Sequence, residues 1–341
     1  MFNLKKMSKL FIFLLIVCQI KVVEAQKVHS NIFDAFVKNA IELSEQALYN
    51  STFDEALLFV DNSYFENFST YESKHKIALT IQNIRIQSFQ ARLRQLSFNS
   101  DEHLSSLLGL LPSVEKLDDE ILKAKFFTVL SALYRSKNLD LCILYENKAL
   151  ILFKKMADYK SVAELQATQV SRELDNYFRD NKKEEAIATI QRFREEIDFS
   201  SKYSKYALAY NTRHLANIYR IYEINQTEAL KLYKQSLDLR EEIGFKPFIP
   251  ASYYSLGLVY SNLGMQEKAI IAFNESIQQA KKVHFIRYEC NPYLNIGDIY
   301  LTKKNKEKAK EYYLKALKSA SANNYENGIN NAIEKISNLK N

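Results

Sequence analysis

The sequence contains no tryptophan, and its 341 residues include only 4 prolines, 6 glycines, 5 histidines and 3 cysteines. So little glycine and proline argues against many short strands joined by tight turns, because such turns need residues with special backbone angles. The three cysteines are too few for a disulfide scaffold, and none falls in a C-x-x-C spacing that would suggest a zinc site. The histidines (His29, His75, His103, His214 and His284) are scattered and form no H-E-x-x-H pair, so no metal is expected. There is no G-x-S-x-G elbow, phosphate-cradling glycine loop or dinucleotide fingerprint, so no cofactor is expected either. Adjacent acids such as Glu184 with Glu185 and Glu241 with Glu242 point about 100° apart on a helix and read as solvated faces, not as a paired acid and base.

What the chain does have is 47% hydrophobic and 26% charged residues, with 22 Tyr and 21 Phe. That composition can bury a large core, and with so few breakers it predicts an all-α protein. The N-terminus reads separately: "MFNLKKMSK" is basic, "LFIFLLIVC" is a short apolar run, and "QIKVVEAQ" closes with small residues. This is the pattern of a secretory signal peptide over residues 1–25, cleaved between Ala25 and Gln26. The run is well short of the roughly 20 residues that span a bilayer. A lipoprotein attached through Cys18 is the alternative, although Val17 stands where a small residue is usual. The expected product is exported, either periplasmic or secreted. The formal charge is +7, and residues 301–341 hold nine Lys against four Glu. A lysine-rich end of this kind reads as a solvated face, and nucleic acid is not an expected partner. Cys142 and Cys290 lie within helical patterns as small core residues.

Repetition organises the rest. In "YYSLGLVYSNLGMQEKAIIAFNESIQQA", Leu256, Gly257 and Tyr260 share one helix face, and Ala269, Phe273 and Ser276 share another. Between them Asn262 and Gly264 suit a tight turn, so the unit is a helical hairpin. Forty residues on, Ile296, Gly297, Tyr300, Ala309, Tyr313 and Ala316 repeat it. Upstream copies carry Leu215, Ala216, Tyr219, Ala229 and Tyr233, then more loosely Tyr177, Ala186, Ile190 and Phe193, then Tyr134 and Cys142. A degenerate hairpin turns at "SFNSDE", and Ala56 marks a second helix near the N-terminus. The small residues Cys142, Ala186, Ala229, Ala269 and Ala309 are spaced by 44, 43, 40 and 40 positions, the signature of a solenoid of paired helices. Degenerate repeats are expected over 28–165 and clearer ones over 166–320. A capping helix within 323–341 should carry Ile329, Ile333, Ile336 and Leu339 in one stripe. Residues 26–341 then form a single superhelical domain.

The L-G-x-x-Y then A-x-x-x-F or A-x-x-x-Y pattern resembles the tetratricopeptide repeat, most closely over 250–320. The unit here is 40–44 residues rather than about 34, which calls for longer helices. The family's tryptophan is replaced by Tyr253 and Tyr293, and its late proline by Lys281. The resemblance implies a right-handed α-solenoid whose concave groove is lined by the first helix of each hairpin. It also implies groove positions at Tyr210, Arg213, Asn217 and Arg220, followed by Tyr254, Leu258 and Ser261, then Asn291, Leu294 and Asp298. Arg213 with Asn217 is similar to the basic-plus-amide pair with which some members hold a peptide carboxylate. The expected function is a non-catalytic scaffold that binds a protein or peptide, by Tyr210, Arg213, Asn217, Arg220, Tyr254 and Asp298. The alternative is a sensory input module of a bacterial regulatory system acting through a membrane partner. A third reading, an enzyme with residues spread over distant repeats, has no motif behind it.

Overall fold

The computed structural model describes residues 25–61, 65–67, 71–197 and 204–339, with side chains from residue 33 onward. The expected signal peptide, including Cys18, lies outside the described residues. Among those residues there are fifteen α-helices and no strand. The first four are α1 (Ala25–Asn50), α2 (Phe53–Val60), α3 (Ser73–Arg94) and α4 (Ser100–Glu115). Then follow α5 (Glu120–Tyr134) and α6 (Leu139–Lys155), α7 (Tyr159–Arg179) and α8 (Lys183–Glu196), and α9 (Ser204–Ile221) and α10 (Gln226–Glu242). After a single 3-10 turn at Lys246–Phe248 come α11 (Ile249–Asn262), α12 (Gln266–Val283), α13 (Ile286–Thr302), α14 (Lys306–Ala322) and α15 (Glu326–Asn338). Successive pairs from α5 onward are antiparallel hairpins stacked side by side as an all-α solenoid. No described helix is long and apolar enough to cross a membrane.

Local chemistry sets the helix boundaries. Asn99, Asp119, Asn138, Asp158, Asn225 and Asn305 each accept a hydrogen bond from the backbone N–H three residues on, so six helices start at a side-chain cap. Four of the five hairpin turns from α5 onward place one residue in the left-handed region: Asn181, Glu223, Gly264 and Lys304, with φ between 52° and 72°. Only one of the four is glycine, so three of these turns carry no glycine signal in the sequence.

The seam between paired helices follows the small residues. Cys142, Ala186, Ala229, Ala269 and Ala309 are all completely buried. A methyl group added to Gly257 would overlap the ring of Phe273, and one added to Gly297 would overlap the ring of Tyr313. The aromatic side chain of the second helix therefore lies flat on the bare backbone of the first, and its far side meets Ile296 and Ile299 of the next hairpin in the case of Phe273. Cys142 and Cys290 are free and buried, and burial pushes both thiols up to about 11, as suits inert core residues.

The C-terminal helix differs in detail from its expected stripe. Gly328 and Ala332 are its buried residues, whereas Ile333 is 49% exposed and Ile336 is only partly buried. A methyl on Gly328 would meet Tyr325 and the Ala320 methyl, so close approach through small residues, as at the other seams, turns the helix and leaves Ile333 in solvent.

The N-terminal helices also reach beyond their neighbours. Phe33, Val37, Phe53, Ile86 and Leu93 share one core with Phe245, Phe248, Val283 and Phe285, some two hundred residues away in the chain. Tyr49 meets Phe245 edge-on at 5.0 Å, Phe89 meets Phe248 at 5.9 Å, and the Arg92 guanidinium lies 5.3 Å from the Phe248 ring. A charged cluster fastens this clasp. Glu45 on α1 is hydrogen-bonded by Arg85 on α3, Lys160 on α7 lies 4.0 Å from Glu45, and Glu164 lies 3.8 Å from Lys160. Burial raises the Glu45 carboxyl, but Arg85, Lys160 and Lys125 outweigh it and hold the group at about 2, while burial keeps Glu164 above the usual carboxylate range.

Two outcomes follow from this packing. Replacing Gly297 with Ala should destabilise the protein by about 1–3 kcal/mol through overpacking against Tyr313, read as a lower thermal midpoint, while Gly109→Ala, which meets nothing within 4 Å, should not. Because the Glu45 pKa is depressed, its stabilisation is present above about 4.5 and is lost as pH falls toward 2. Glu45→Gln should therefore cost about 2 kcal/mol at neutral pH, with the gap to wild type closing across that window.

Candidate functional site

The layer of first helices comprises α7, α9, α11 and α13: α7 packs on α9 and α11 on α13, while α10 joins α9 to α11. From α9 project Tyr210, Arg213, Asn217 and Arg220, and these four sit on one ridge as their spacing predicts. The structure divides them into two groups. Asn217 and Arg220 converge on Tyr233 of α10: the tyrosine hydroxyl donates to Asn217 Oδ1 at 2.6 Å, and Arg220 Nε donates to the same hydroxyl at 3.1 Å. Tyr210 and Arg213 instead flank Arg240, a residue of α10.

Tyr254 and Asp298 lie on the neighbouring first helices. The Tyr254 hydroxyl accepts from Asn295 Nδ2 at 3.1 Å, and its ring packs on Phe273 and Tyr288. Asp298 accepts from the Tyr313 hydroxyl at 2.7 Å and is paired with Lys335 of α15 at 2.7 and 2.9 Å. Asn217 and Asp298 occupy equivalent repeat positions, and each takes its hairpin's tyrosine hydroxyl. One side-chain oxygen of each is thus committed to closing the hairpin.

Arg240 is the residue that a stripe drawn on first helices misses. It is 2% exposed. Its Nη1 donates to the Phe248 carbonyl at 3.1 Å and to Ser252 Oγ at 2.6 Å, and its guanidinium lies 5.9 Å from the Tyr210 ring and 5.8 Å from the Phe248 ring. Nε has no hydrogen-bond partner. Burial, followed by the charge of Arg213, brings Arg240 down to about 10. The same two influences, with Arg240 added, hold the buried His214 well below its ordinary value, so it is a neutral imidazole whose Nε2 meets Ser171 Oγ at 2.9 Å. The sequence carried one signal for Arg240: Ala229, Tyr233 and Ser236 are buried at helical spacing, and the next position on that stripe is 240.

These elements match known proteins in two ways. Sequence profiles of the tetratricopeptide repeat match residues 206–282 and 291–323. Among curated proteins no sequence matches the chain. Among solved structures, the chain is similar to NprR in complex with its cognate peptide NprX, at 16% identity and a TM-score of 0.56, covering 90% of this chain and 88% of that one. It is similar to the apo form of the quorum sensor NprR from B. thuringiensis, at 17% identity and a TM-score of 0.53, covering 99% and 94%. It also resembles a signal-transduction ATPase with a tetratricopeptide repeat sensor from Pyrococcus horikoshii, at 18% identity and a TM-score of 0.52, covering 84% of this chain but only 43% of that one. At these identities the likeness is one of fold. The hairpins from α9 to α14 are tetratricopeptide repeats within an all-helical solenoid.

Proposed function

We propose that the protein binds a peptide or an extended protein segment along its first-helix face and does no chemistry on it. The observation that carries this reading is the spread of polar and aromatic side chains on that face that no ion pair consumes: Arg213, Arg220, Tyr254 and Asn291, the last with a buried Oδ1 lacking a partner. A ligand laid across successive first helices would meet a different side chain at each repeat, which is how a repetitive scaffold gains selectivity. NprR, whose solenoid resembles this one, binds its cognate peptide NprX. The N-terminal pattern of residues 1–25 supports an exported protein that meets its ligand outside the cytoplasm.

Photo-crosslinking in the producing cells tests the binding reading. A benzophenone side chain placed at Tyr254 should capture a peptide or protein, one placed at the exposed second-helix residue Lys234 should not, and Arg213→Ala with Asn217→Ala should weaken the capture. Capture from position 234 alone, or capture unaffected by the double substitution, would sink the first-helix assignment. The mature chain should be found in the medium, or be digested by protease added to spheroplasts whose cytoplasmic membrane is intact; its complete protection until that membrane is broken would contradict export.

A further inference from the structure

The register of the repeats singles out one position. Ala229, Ala269 and Ala309 are equivalent, and eleven residues after each stand Arg240, Ala280 and Ala320. All three are buried, so one hairpin carries a guanidinium where two others carry a methyl group. A packing role alone would be filled by alanine, as it is in those two.

The charge is also unbalanced. Among the described residues Arg240 forms no ion pair, and only its Nη1 has hydrogen-bond partners, both of them neutral. The half-buried Arg213 side chain makes no hydrogen bond or ion pair among the described residues, and its Nε is enclosed without a partner. His214, whose Nδ1 has no partner among the described residues, feels the charge of both arginines. Elsewhere the chain pairs its enclosed arginines, Arg85 with Glu45 and Arg172 with Glu146. A guanidinium enclosed to this degree, beside a second, half-buried one and with no ion pair to either among the described residues, carries a desolvation cost that a bound anion would offset.

We propose that Arg240 and Arg213 form an oxyanion pocket that receives a carboxylate of the bound peptide, from its C-terminus or from an Asp or Glu side chain. This rests on the peptide-binding reading above. The free edge of Arg240, Nε with Nη2, is the edge of a guanidinium that takes the two oxygens of a carboxylate side by side. The Phe248 carbonyl and Ser252 already hold the group in place, so little ordering remains to be done on binding.

The test uses the purified full chain and three pools of fluorescein-labelled octapeptides, random over neutral residues: free C-terminal acids, C-terminal amides, and amides carrying one Asp. Anisotropy should show at least one acidic pool binding about tenfold more tightly than the neutral amides, the size expected of charged hydrogen bonds. Whichever acidic pool is preferred identifies the source of the carboxylate. Arg240→Met and Arg213→Met should each remove the preference while leaving neutral-pool binding in place. Arg213 is half-buried, so Arg213→Met keeps the test decisive if Arg240→Met does not fold; Arg240→Lys, which keeps charge but not the fork, should retain only part of the preference. Acetate should compete with the acidic pool, and displacement by inorganic phosphate alone would overturn the carboxylate assignment. Equal binding of all three pools, or a full preference in Arg213→Met, would overturn the pocket while leaving groove binding intact. Binding of none would overturn both.

Discussion

The contact on which the C-terminal half of the structure depends is an aromatic ring laid on a glycine across the hairpins α11–α12 and α13–α14. Phe273 on Gly257 and Tyr313 on Gly297 set how closely the two helices approach, and Ala269 and Ala309, fully buried, complete the seam from the other side. Once that spacing is fixed in each hairpin, stacking hairpins brings first helices alongside one another and buries a continuous core that no single hairpin could form. The inner layer, and everything mounted on it, inherits its geometry from this seam.

The seam was legible because it is written in residue size at helical spacing, the kind of information that survives in a single sequence. The same logic explains where reading fell short. At α15 the isoleucines form an apolar stripe, yet Gly328 and Ala332 face inward because Ala320, in the last turn of the preceding helix, admits close approach there. The turns at Asn181, Glu223 and Lys304 adopt left-handed angles without glycine, since the caps and the helices on either side dictate them. The N-terminal clasp was invisible for a different reason: Glu45, Arg85 and Lys160 are brought together by tertiary folding over more than a hundred residues, and periodicity reports only local neighbours.

Part of the candidate site was equally legible. Tyr210, Arg213, Asn217 and Arg220 share a ridge because a helix puts them there, but their partners come from α10, which a stripe on first helices does not include. Tyr233 looked like the aromatic member of the seam, and it is. Its hydroxyl additionally binds Asn217 and Arg220, so one residue both closes the hairpin and orders two polar groups on its inner face. Tyr313 does the same for Asp298, whereas Phe273, with no hydroxyl, faces a hairpin whose corresponding position is Leu258. In these three hairpins the hydroxyl and its polar acceptor occur together or not at all, whereas the α7–α8 hairpin, with Ile190 at the seam, turns the equivalent Asp175 to Arg135 of the preceding hairpin.

The two enclosed charge clusters show what the scaffold leaves to each hairpin. Around Glu45 and Arg85 both signs are present, and the cluster joins distant helices: its charges serve the fold. Around Arg240 only one sign is present, the neighbours are tyrosine rings, neutral hydroxyls and a neutral histidine, and the position is alanine in two other repeats. A fold that tolerates a methyl at that position does not require a guanidinium, and burying one without a counter-charge works against stability. The seam that repeats holds the protein together; the buried arginine that does not repeat is the position to which we assign the proposed selectivity for a carboxylate.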